Sequence, residues 1–242
     1  MGTLQDQLAV VTGASSGIGQ AIALALARQG ARLVLVGRNL ATLQQVAGAT
    51  GLPASHVACR TADLARPGDV AALVAVLQRE CGPIGAVVHG AGVMAWGPMA
   101  AATAEQLDST YRTNVQAPYL LTQGLLPQLQ AGQGQVVFLN SSAGLAARAN
   151  VAQYAASKHA LKAVADALRE EVNAAGIRVL SLYLGRTASA MQAAIHAAEG
   201  RPYRPELLLQ PDEVADVVVH ALSTPRGMEI TDIHLRPMLK SY

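Results

Sequence analysis

Short apolar runs alternate with longer segments of helical periodicity from one end of the chain to the other. A short apolar run without polar alternation predicts a strand that is buried on both faces. The runs with this pattern are Leu8–Val11, Leu33–Val36, His56–Cys59, Ala86–Val88, Val136–Leu139 and Val179–Leu184. The chain therefore contains a series of strands separated by stretches long enough for helices.

Three of the intervening stretches carry apolar residues at the spacing i, i+3, i+4 and i+7, which buries one face of a helix. These stretches are 18–25, 70–77 and 161–172. Thr103 and Gln106 have the spacing of a capping box at a helix start. Gly30 and Gly176 lie where two of the helices should end, and Pro211 lies where a late helix should begin.

Alternating strands and helices require crossover connections, which make neighbouring strands parallel and pack helices on the sheet. The pattern predicts an α/β fold with a doubly wound parallel sheet of about seven strands and helices on both faces. No linker, charge block or repeat interrupts it, so we expect a single domain over 1–242. The stretch 188–210 is the exception, because it lacks a strand signal and contains Gly200, Pro202 and Pro205. A long irregular segment in a compact domain is more often a lid or binding loop than a connection without function, so we expect this segment to cover a substrate.

The composition makes the predicted core aliphatic. Hydrophobic residues make up 51% of the chain, whereas charged residues supply 14% and aromatic residues 3%. So low a charged fraction argues against disorder, because disordered chains cannot bury enough apolar surface to offset chain entropy. The formal net charge is +2, without a run of lysine or arginine. This balance argues against nucleic acid and anionic membranes as partners.

Cysteine, histidine and the first residues set further bounds. Cys59 and Cys81 lack the spacing of a disulfide framework or redox pair, and the six histidines lack paired ligand spacing, so we expect no metal site. The stretch from Met1 to Gln7 lacks the basic and apolar regions of a signal peptide. No apolar run approaches the roughly 20 residues of a membrane span. These features predict a cytoplasmic protein that does not enter a membrane.

A glycine-rich loop follows the first predicted strand, with the sequence Thr12-Gly13-Ala14-Ser15-Ser16-Gly17-Ile18-Gly19. Glycines let the backbone turn sharply and approach a ligand, while the free amides and positive end of the following helix favour a diphosphate. The loop is not a P-loop, which would need a lysine after its last glycine. An ordinary strand-to-helix turn is the weaker interpretation, because the loop leads directly into an amphipathic helix. The predicted contacts with a dinucleotide are Gly13, Ser15, Ser16, Gly17, Ile18 and Gly19.

The end of the second predicted strand bears on the choice of dinucleotide. An acidic residue there binds a free ribose 2′-hydroxyl, whereas an arginine accommodates a 2′-phosphate. The chain has Gly37 followed by Arg38. A charge-assisted hydrogen bond contributes about 1.5 to 3 kcal/mol, so NADP(H) is expected to be preferred over NAD(H). The alternative is that Arg38 is simply a solvated side chain at a strand end.

Tyr154 and Lys158 lie four residues apart in a predicted helix, so they share one face one turn apart. A phenol has a pKa near 10, and acid–base work near neutrality requires that pKa to fall by about 2 to 3 units. A neighbouring ammonium group favours the phenolate and so lowers the pKa. An upstream hydroxyl, Ser141 or Ser142, can hold a substrate oxygen beside the phenol. An isolated Tyr-x-x-x-Lys is more often an interfacial tyrosine with a solvated lysine, so the combination with the glycine loop carries the argument.

With these motifs together, the chain resembles the short-chain dehydrogenase/reductase family in its single-domain, Rossmann-like form, over essentially its whole length. The resemblance implies that Tyr154 is the proton donor or acceptor and that Ser141, rather than its neighbour Ser142, orients the substrate oxygen. It implies that Lys158 lowers the pKa of the tyrosine and binds the nicotinamide ribose. It also implies that Asn114 helps to hold a water in the proton relay.

The same resemblance extends the set of cofactor-binding residues. Asp63 and Leu64 match the pair that contacts adenine, and Ala91 with Gly92 match the close approach after the fourth strand. Thr187 and Ser189 match the segment around the carboxamide, with the backbone amide of Thr187 as a donor.

Two departures from the family pattern fall beside these positions. His89-Gly90-Ala91-Gly92 replaces the usual Asn-Asn-Ala-Gly, and Leu184-Gly185 replaces the usual Pro-Gly. His89 could replace one of the lost hydrogen bonds or take part in a different local network. Both departures bear on the pose of the nicotinamide more than on the type of reaction.

The expected reaction interconverts a carbonyl and a secondary alcohol of a small molecule by hydride transfer. The side chains expected to wall the substrate pocket are Met94, Trp96, Leu145, Tyr183 and Met191, with ordinary core packing as the alternative. Arg148 could pair with an acidic substrate or be a surface arginine. The rival function is a catalytically silent dinucleotide-binding regulator or scaffold. The resemblance implies a homodimer or homotetramer paired through long helices, whereas substrate, direction, stereochemistry and the choice between dimer and tetramer stay open.

Overall fold

Seven parallel strands form a sheet in the order β3-β2-β1-β4-β5-β6-β7, in a computed structural model that describes residues 4–239. The strands are β1 (Leu8–Thr12), β2 (Arg32–Gly37), β3 (Val57–Thr61), β4 (Ala86–His89), β5 (Gln135–Ser141), β6 (Arg178–Leu184) and β7 (Asp232–Leu235). The predicted parallel sheet is confirmed. One boundary is wrong, because His56 belongs to a short 3-10 turn, Ala54–His56, before β3. Residues 1–3 and 240–242 lie outside the description. They include both ends of the predicted single domain and the first residues of the stretch predicted not to be a signal peptide.

Eight α-helices are described between and beside the strands. They are α1 (Gly17–Arg28), α2 (Leu40–Ala49), α3 (Pro67–Glu80), α4 (Ala104–Tyr111), α5 (Ala117–Ala131), α6 (Ala152–Val172), α7 (Ala190–Ala198) and α8 (Pro211–Leu222). The capping box of Thr103 and Gln106 is confirmed at the start of α4. Gly176 has a φ of +75° after α6, as expected of a glycine that ends a helix. None of the helices described between residues 4 and 239 combines the length and apolarity that a bilayer crossing requires.

The sheet separates two hydrophobic cores. Val10 and Val11 are neighbours on β1 and both fully buried, yet they belong to different cores because successive side chains of a strand point to opposite faces. Val11 packs in the core beside α1 and α8, whereas Val10 packs with residues of α3, α5 and α6. Burial on both faces explains why the strands read as continuous apolar runs in the sequence.

The predicted irregular stretch 188–210 contains a helix, α7, and a short 3-10 turn, Pro205–Leu207. The expectation of an irregular segment is wrong at α7. Its alanines favour helix, and the Oγ of Ser189 accepts the amide of Gln192 at 3.2 Å, which caps the helix start. An isolated parallel bridge between Thr187 and Leu209 closes the segment at its base.

Candidate active site

The chain places β2 and β3 on one side of β1 and then places β4 on its other side. At such a reversal of strand order, a crevice opens at the carboxyl ends of the two central strands, here β1 and β4. Gly13, in the loop after β1, has a φ of +67°, and a Cβ on it would lie 2.7 Å from the backbone nitrogen of Ala91. A Cβ on Gly19 would lie 2.3 Å from the carbonyl oxygen of Gly13. Backbone thus packs directly on backbone here, and both positions require glycine.

The start of α1 fits a bound phosphate. Ser16 is its N-cap residue and makes no side-chain cap hydrogen bond within the described chain, and the first turn carries no acidic residue. By contrast, the Asn39 side chain caps α2 by accepting the amide of Thr42 at 3.2 Å. The amides of α1 therefore have no side-chain cap at the point where Gly17, with a φ of +55°, begins the helix. Uncapped amides and a positive dipole end match the diphosphate of a dinucleotide.

The predicted adenosine contacts follow β2 and β3. Arg38 is exposed directly after β2. Asp63 follows β3, where its amide donates to the carboxylate of Asp69 at 2.9 Å, and Leu64 is buried. The Oγ of Ser15 lies 3.5 Å from the position that a Cβ on Gly37 would take, so the glycine loop and the end of β2 adjoin.

Ser141, Tyr154 and Lys158 converge at the ends of β5 and α6. The side chains of Ser141 and Tyr154 are hydrogen-bonded, and the ring centroid of Tyr154 lies 5.8 Å from the Nζ of Lys158. Lys158 is buried and donates to the carbonyl of Leu139 at 2.8 Å. The tyrosine and lysine predicted from their spacing, and the serine that the family resemblance implied, thus lie together in the fold.

The electrostatics of this group differ from the expectation. Burial raises the pKa of Tyr154, and the hydrogen bond from Ser141 offsets only part of that rise. Burial also lowers the pKa of Lys158 to about 8. In the protein alone, desolvation therefore outweighs the predicted lowering of the tyrosine pKa by lysine.

Asn114 lies in a π-helical turn, Arg112–Gln116, that joins α4 to α5. Its Oδ1 accepts the amide of Val93 at 2.9 Å, and its Nδ2 donates to the carbonyl of Val93 at 2.9 Å and to the Oγ of Ser157 at 3.0 Å. The side chain thereby ties the loop after β4 to α6, next to Lys158. Single π turns inside helices are frequent at functional sites.

The first departure from the family pattern has a specific structural outcome. His89 is buried, with its Nε2 2.7 Å from the Oγ1 of Thr122 and its ring stacked 5.0 Å from that of Phe138. Burial lowers its pKa to about 3, so the imidazole is neutral. Thr12 instead holds the loop after β4, because its Oγ1 accepts the amides of Gly90 and Ala91 at 3.1 and 3.2 Å. Thr12 is the polar first residue of the glycine-rich motif, at the end of an apolar strand, but its role in holding the loop after β4 was not predicted.

A cavity of about 900 Å³ opens over these residues. The predicted site residues that line it are Ile18, Ala91, Gly92, Met94, Trp96, Ser141, Tyr154, Lys158, Thr187, Ser189 and Met191. The remaining predicted cofactor-binding residues and Asn114 do not form its wall: Gly13, Ser15, Ser16, Gly17, Gly19, Arg38, Asp63, Leu64 and Asn114. The volume falls in the usual range of about 300 to 1,000 Å³ for small-molecule sites.

Two predicted pocket residues do not line this cavity. Tyr183 is 2% exposed, and its ring packs 4.9 Å from that of His234 across β6 and β7. Its neighbour Leu184 does line the cavity, so alternation along β6 directs Tyr183 to a different face. Leu145 is 41% exposed and lies outside the cavity lining. The placement of Tyr183 and Leu145 in the pocket wall is therefore wrong.

The segment 188–210 is fastened to the strand-end loop by side chains that the sequence analysis missed. Arg186 donates to both carboxylate oxygens of Glu199, at 2.9 and 2.6 Å, and its Nη1 lies 3.3 Å from the Nε2 of His196. The pair holds the pKa of Glu199 below its usual range. Within the segment itself, the hydroxyl of Tyr203 accepts the amide of Ser189 at 3.0 Å. No periodicity or motif joins positions so spaced, so the sequence carried no signal for this fastening.

Comparison with known proteins agrees with this geometry. The sequence profile described as short chain dehydrogenase matches residues 7–200. The chain belongs to the short-chain dehydrogenase family. An uncharacterized oxidoreductase of Staphylococcus aureus is 30% identical over 239 residues, covering 98% of this short-chain dehydrogenase and 100% of the relative.

Solved structures give the same result for this short-chain dehydrogenase. A metagenomic short-chain oxidoreductase in complex with NADP has a TM-score of 0.84 and 30% identity, covering 98% of this chain and 100% of that one. A short chain dehydrogenase from Shigella flexneri complexed with NADP has a TM-score of 0.87 and 30% identity, covering 96% and 98%. In the described part of the chain, His, Cys, Asp and Glu side chains form no group of three that could hold a metal ion.

Proposed function

We propose that this short-chain dehydrogenase is an NADP(H)-dependent oxidoreductase that interconverts a carbonyl and a secondary alcohol, with Tyr154 as general acid and base. The observation that carries the proposal is the convergence of Ser141, Tyr154 and Lys158 on one cavity, beside Gly92 and Ile18 from the dinucleotide side. A silent binder would have no use for a hydrogen-bonded serine and tyrosine facing that cavity.

The cofactor site is supported by the backbone of the loop after β1. The tight approach at Gly13 and Gly19 and the uncapped start of α1 would hold the diphosphate, and Arg38 would meet the 2′-phosphate. When bound, NADP(H) supplies or accepts the hydride. The NADP complexes of the two structural relatives support this cofactor.

The remaining chemistry belongs to the chain. A substrate oxygen that accepts hydrogen bonds from the Oγ of Ser141 and the hydroxyl of Tyr154 is held where a proton can pass. In reduction Tyr154 gives its proton to that oxygen, and in oxidation it takes the proton back. The ammonium of Lys158 favours the phenolate so formed, and it would also hold the nicotinamide ribose. Asn114 would support the proton relay while it braces the loop after β4.

We further propose that the segment 188–210 is the substrate lid and that the protein is a homodimer or homotetramer. The lid supplies Ser189 and Met191 to the cavity. Exposed apolar side chains on α4 and α5 support pairing through these helices: Leu107 is 49% and Tyr119 50% exposed.

The test compares NADPH with NADH by fluorescence titration and then follows nicotinamide absorbance across a panel of carbonyl compounds. The Tyr154→Phe variant should keep cofactor affinity and lose activity by about 100- to 10,000-fold, because it removes the proton donor. Tyr111→Phe, at an exposed position on α4, is the matched control and should keep full activity. Full activity in Tyr154→Phe, or NADPH binding without turnover of any compound by the unaltered enzyme, would contradict the proposal.

A further inference from the structure

The charged side chains of the cavity are mostly cationic. Four arginines and one lysine line it, namely Arg148, Lys158, Arg186, Arg201 and Arg236. Among the lining residues described, Glu199 is the one carboxylate. Like charges gathered in a cleft with low-dielectric walls raise the local concentration of ions of opposite sign.

Glu199 does not balance this charge, because it is already paired. Arg186 binds both of its oxygens, and the carboxylate side chain is only 8% exposed. Arg201 acts on Glu199 at longer range, helping to lower its pKa. Within residues 4–239, the side chains of Arg201 and Arg236 have no hydrogen bond or ion pair with a carboxylate. Both are exposed at the cavity wall, one on the lid and one directly after β7.

The phosphates of the proposed cofactor do not account for these two arginines. The loop after β1 and Arg38 would hold those phosphates, yet of these residues only Ile18 lines the cavity. Arg201 instead lies in the segment 188–210, and Arg236 directly follows β7. The nicotinamide ring of the cofactor would also enter this cavity, but it carries no negative charge and is cationic when oxidised.

We propose that the substrate carries a carboxylate, which Arg201 and Arg236 bind while its carbonyl or hydroxyl group faces Ser141 and Tyr154. Guanidinium groups match carboxylates in shape and charge. Met94, Trp96 and Met191 supply an apolar wall for the rest of the molecule. The inference rests on the proposed function and narrows it to oxo acids and hydroxy acids.

The experiment uses acids and their own esters as matched probes. With NADPH in excess, acetoacetate is compared with ethyl acetoacetate, and benzoylformate with methyl benzoylformate. The acids should have the higher kcat/KM. Arg201→Gln and Arg236→Gln should each raise KM for the acids by about 10- to 100-fold, as expected when a charge-assisted hydrogen bond is lost, and leave the ester values within about twofold. Arg204→Gln is the matched control, since Arg204 is exposed on the same segment but does not line the cavity.

Three results would overturn the inference. The first is an ester reduced as efficiently as its acid, and the second is an acid preference that survives in the double variant. The third is weaker NADPH binding in the arginine variants with the acid-to-ester ratio unchanged, which would assign the arginines to the cofactor.

If no probe is turned over, calorimetry with benzoate and benzamide on the NADPH-bound enzyme gives the answer. Tighter binding of benzoate, lost in the double variant, would uphold the carboxylate site while the proposed function fails. Equal binding would reject the site. The failure of one proposal is thus distinguishable from the failure of the other.

Discussion

The two sides of the cavity are held in place by different kinds of contact. On the dinucleotide side, backbone meets backbone: the chain at Gly13 touches Ala91, and Gly19 touches Gly13. On the lid side, long side chains make the contacts, as in the pair of Arg186 and Glu199. A backbone contact tolerates no added atom, whereas a side-chain contact can be exchanged for another. The rigid side therefore suits a constant cofactor, and the exchangeable side suits a particular substrate.

The largest effect is expected at Gly13. In Gly13→Ala, the new methyl group would overlap Ala91, and a φ of +67° strains any side chain. We expect a loss of roughly 2 to 4 kcal/mol in unfolding free energy and loss of measurable NADPH binding. Chemical denaturation and fluorescence titration measure the two effects.

Gly48→Ala is the control for that substitution. Gly48 lies inside α2 with no atom within 4 Å of an added Cβ, so alanine should stabilise the protein by about 0.5 to 1 kcal/mol. Normal cofactor binding by Gly13→Ala would show that the backbone contact is dispensable and would remove the contrast between the two sides.

Acid should act on the backbone side through His89. Its pKa is about 3 in the folded protein and near 6.5 in the unfolded chain, so the unfolded chain binds more protons between these values. The contribution of His89 to the unfolding free energy is therefore complete above pH 6.5, and it falls by roughly 1.4 kcal/mol per pH unit as the pH decreases toward 3. The unfolding free energy, measured by chemical denaturation at pH 7, 6, 5 and 4, should depend less steeply on pH in His89→Gln, although that variant is less stable at pH 7. His159→Gln, at an exposed position on α6, should keep the original slope.

Cofactor choice tests Arg38. Replacing it with serine should lower the preference for NADPH over NADH by about 10- to 100-fold, because the partner of the 2′-phosphate is lost. Affinity for NADH should be almost unchanged, and titration of both cofactors measures the ratio. An unchanged ratio would leave Arg38 as a solvated strand-end arginine.

The lid side should respond locally to loss of its ion pair. Glu199→Gln leaves Arg186 without its carboxylate in a mostly buried setting, so the segment 188–210 should open more often. Amide exchange in that segment should accelerate by about 10-fold, while the loop after β1 keeps its rate. In the double variant Glu199→Gln with Arg186→Gln, the loss of local stability in the segment should be smaller than the sum of the losses in the two single variants. Glu206→Gln, an exposed acid in the same segment, is the control, and exchange as slow as in the unaltered protein would show that the pair does not fasten the lid.

The contrast between the two sides also explains what the sequence could predict. The glycine loop and the spacing of Tyr154 and Lys158 are local along the chain, so a strand-to-helix turn and one turn of helix are enough to predict them. The pair of Arg186 and Glu199 forms only after α7 has folded back, and no local pattern anticipates it. Tyr183 was misassigned because the sequence of a fully buried strand does not indicate which face each side chain takes.

The π-helical turn Arg112–Gln116 has a consequence for insertions and deletions. Such a turn accommodates an extra residue in a helix, and removing one residue there would restore regular α-helical winding from α4 into α5. Each residue advances a helix by about 100°, so the deletion would also rotate Asn114 away from Val93 and Ser157. A shorter and more regular helix would thus free the loop after β4 from α6. The irregular turn is therefore what positions Asn114, and the deletion of one residue would remove both the turn and the contacts that Asn114 makes.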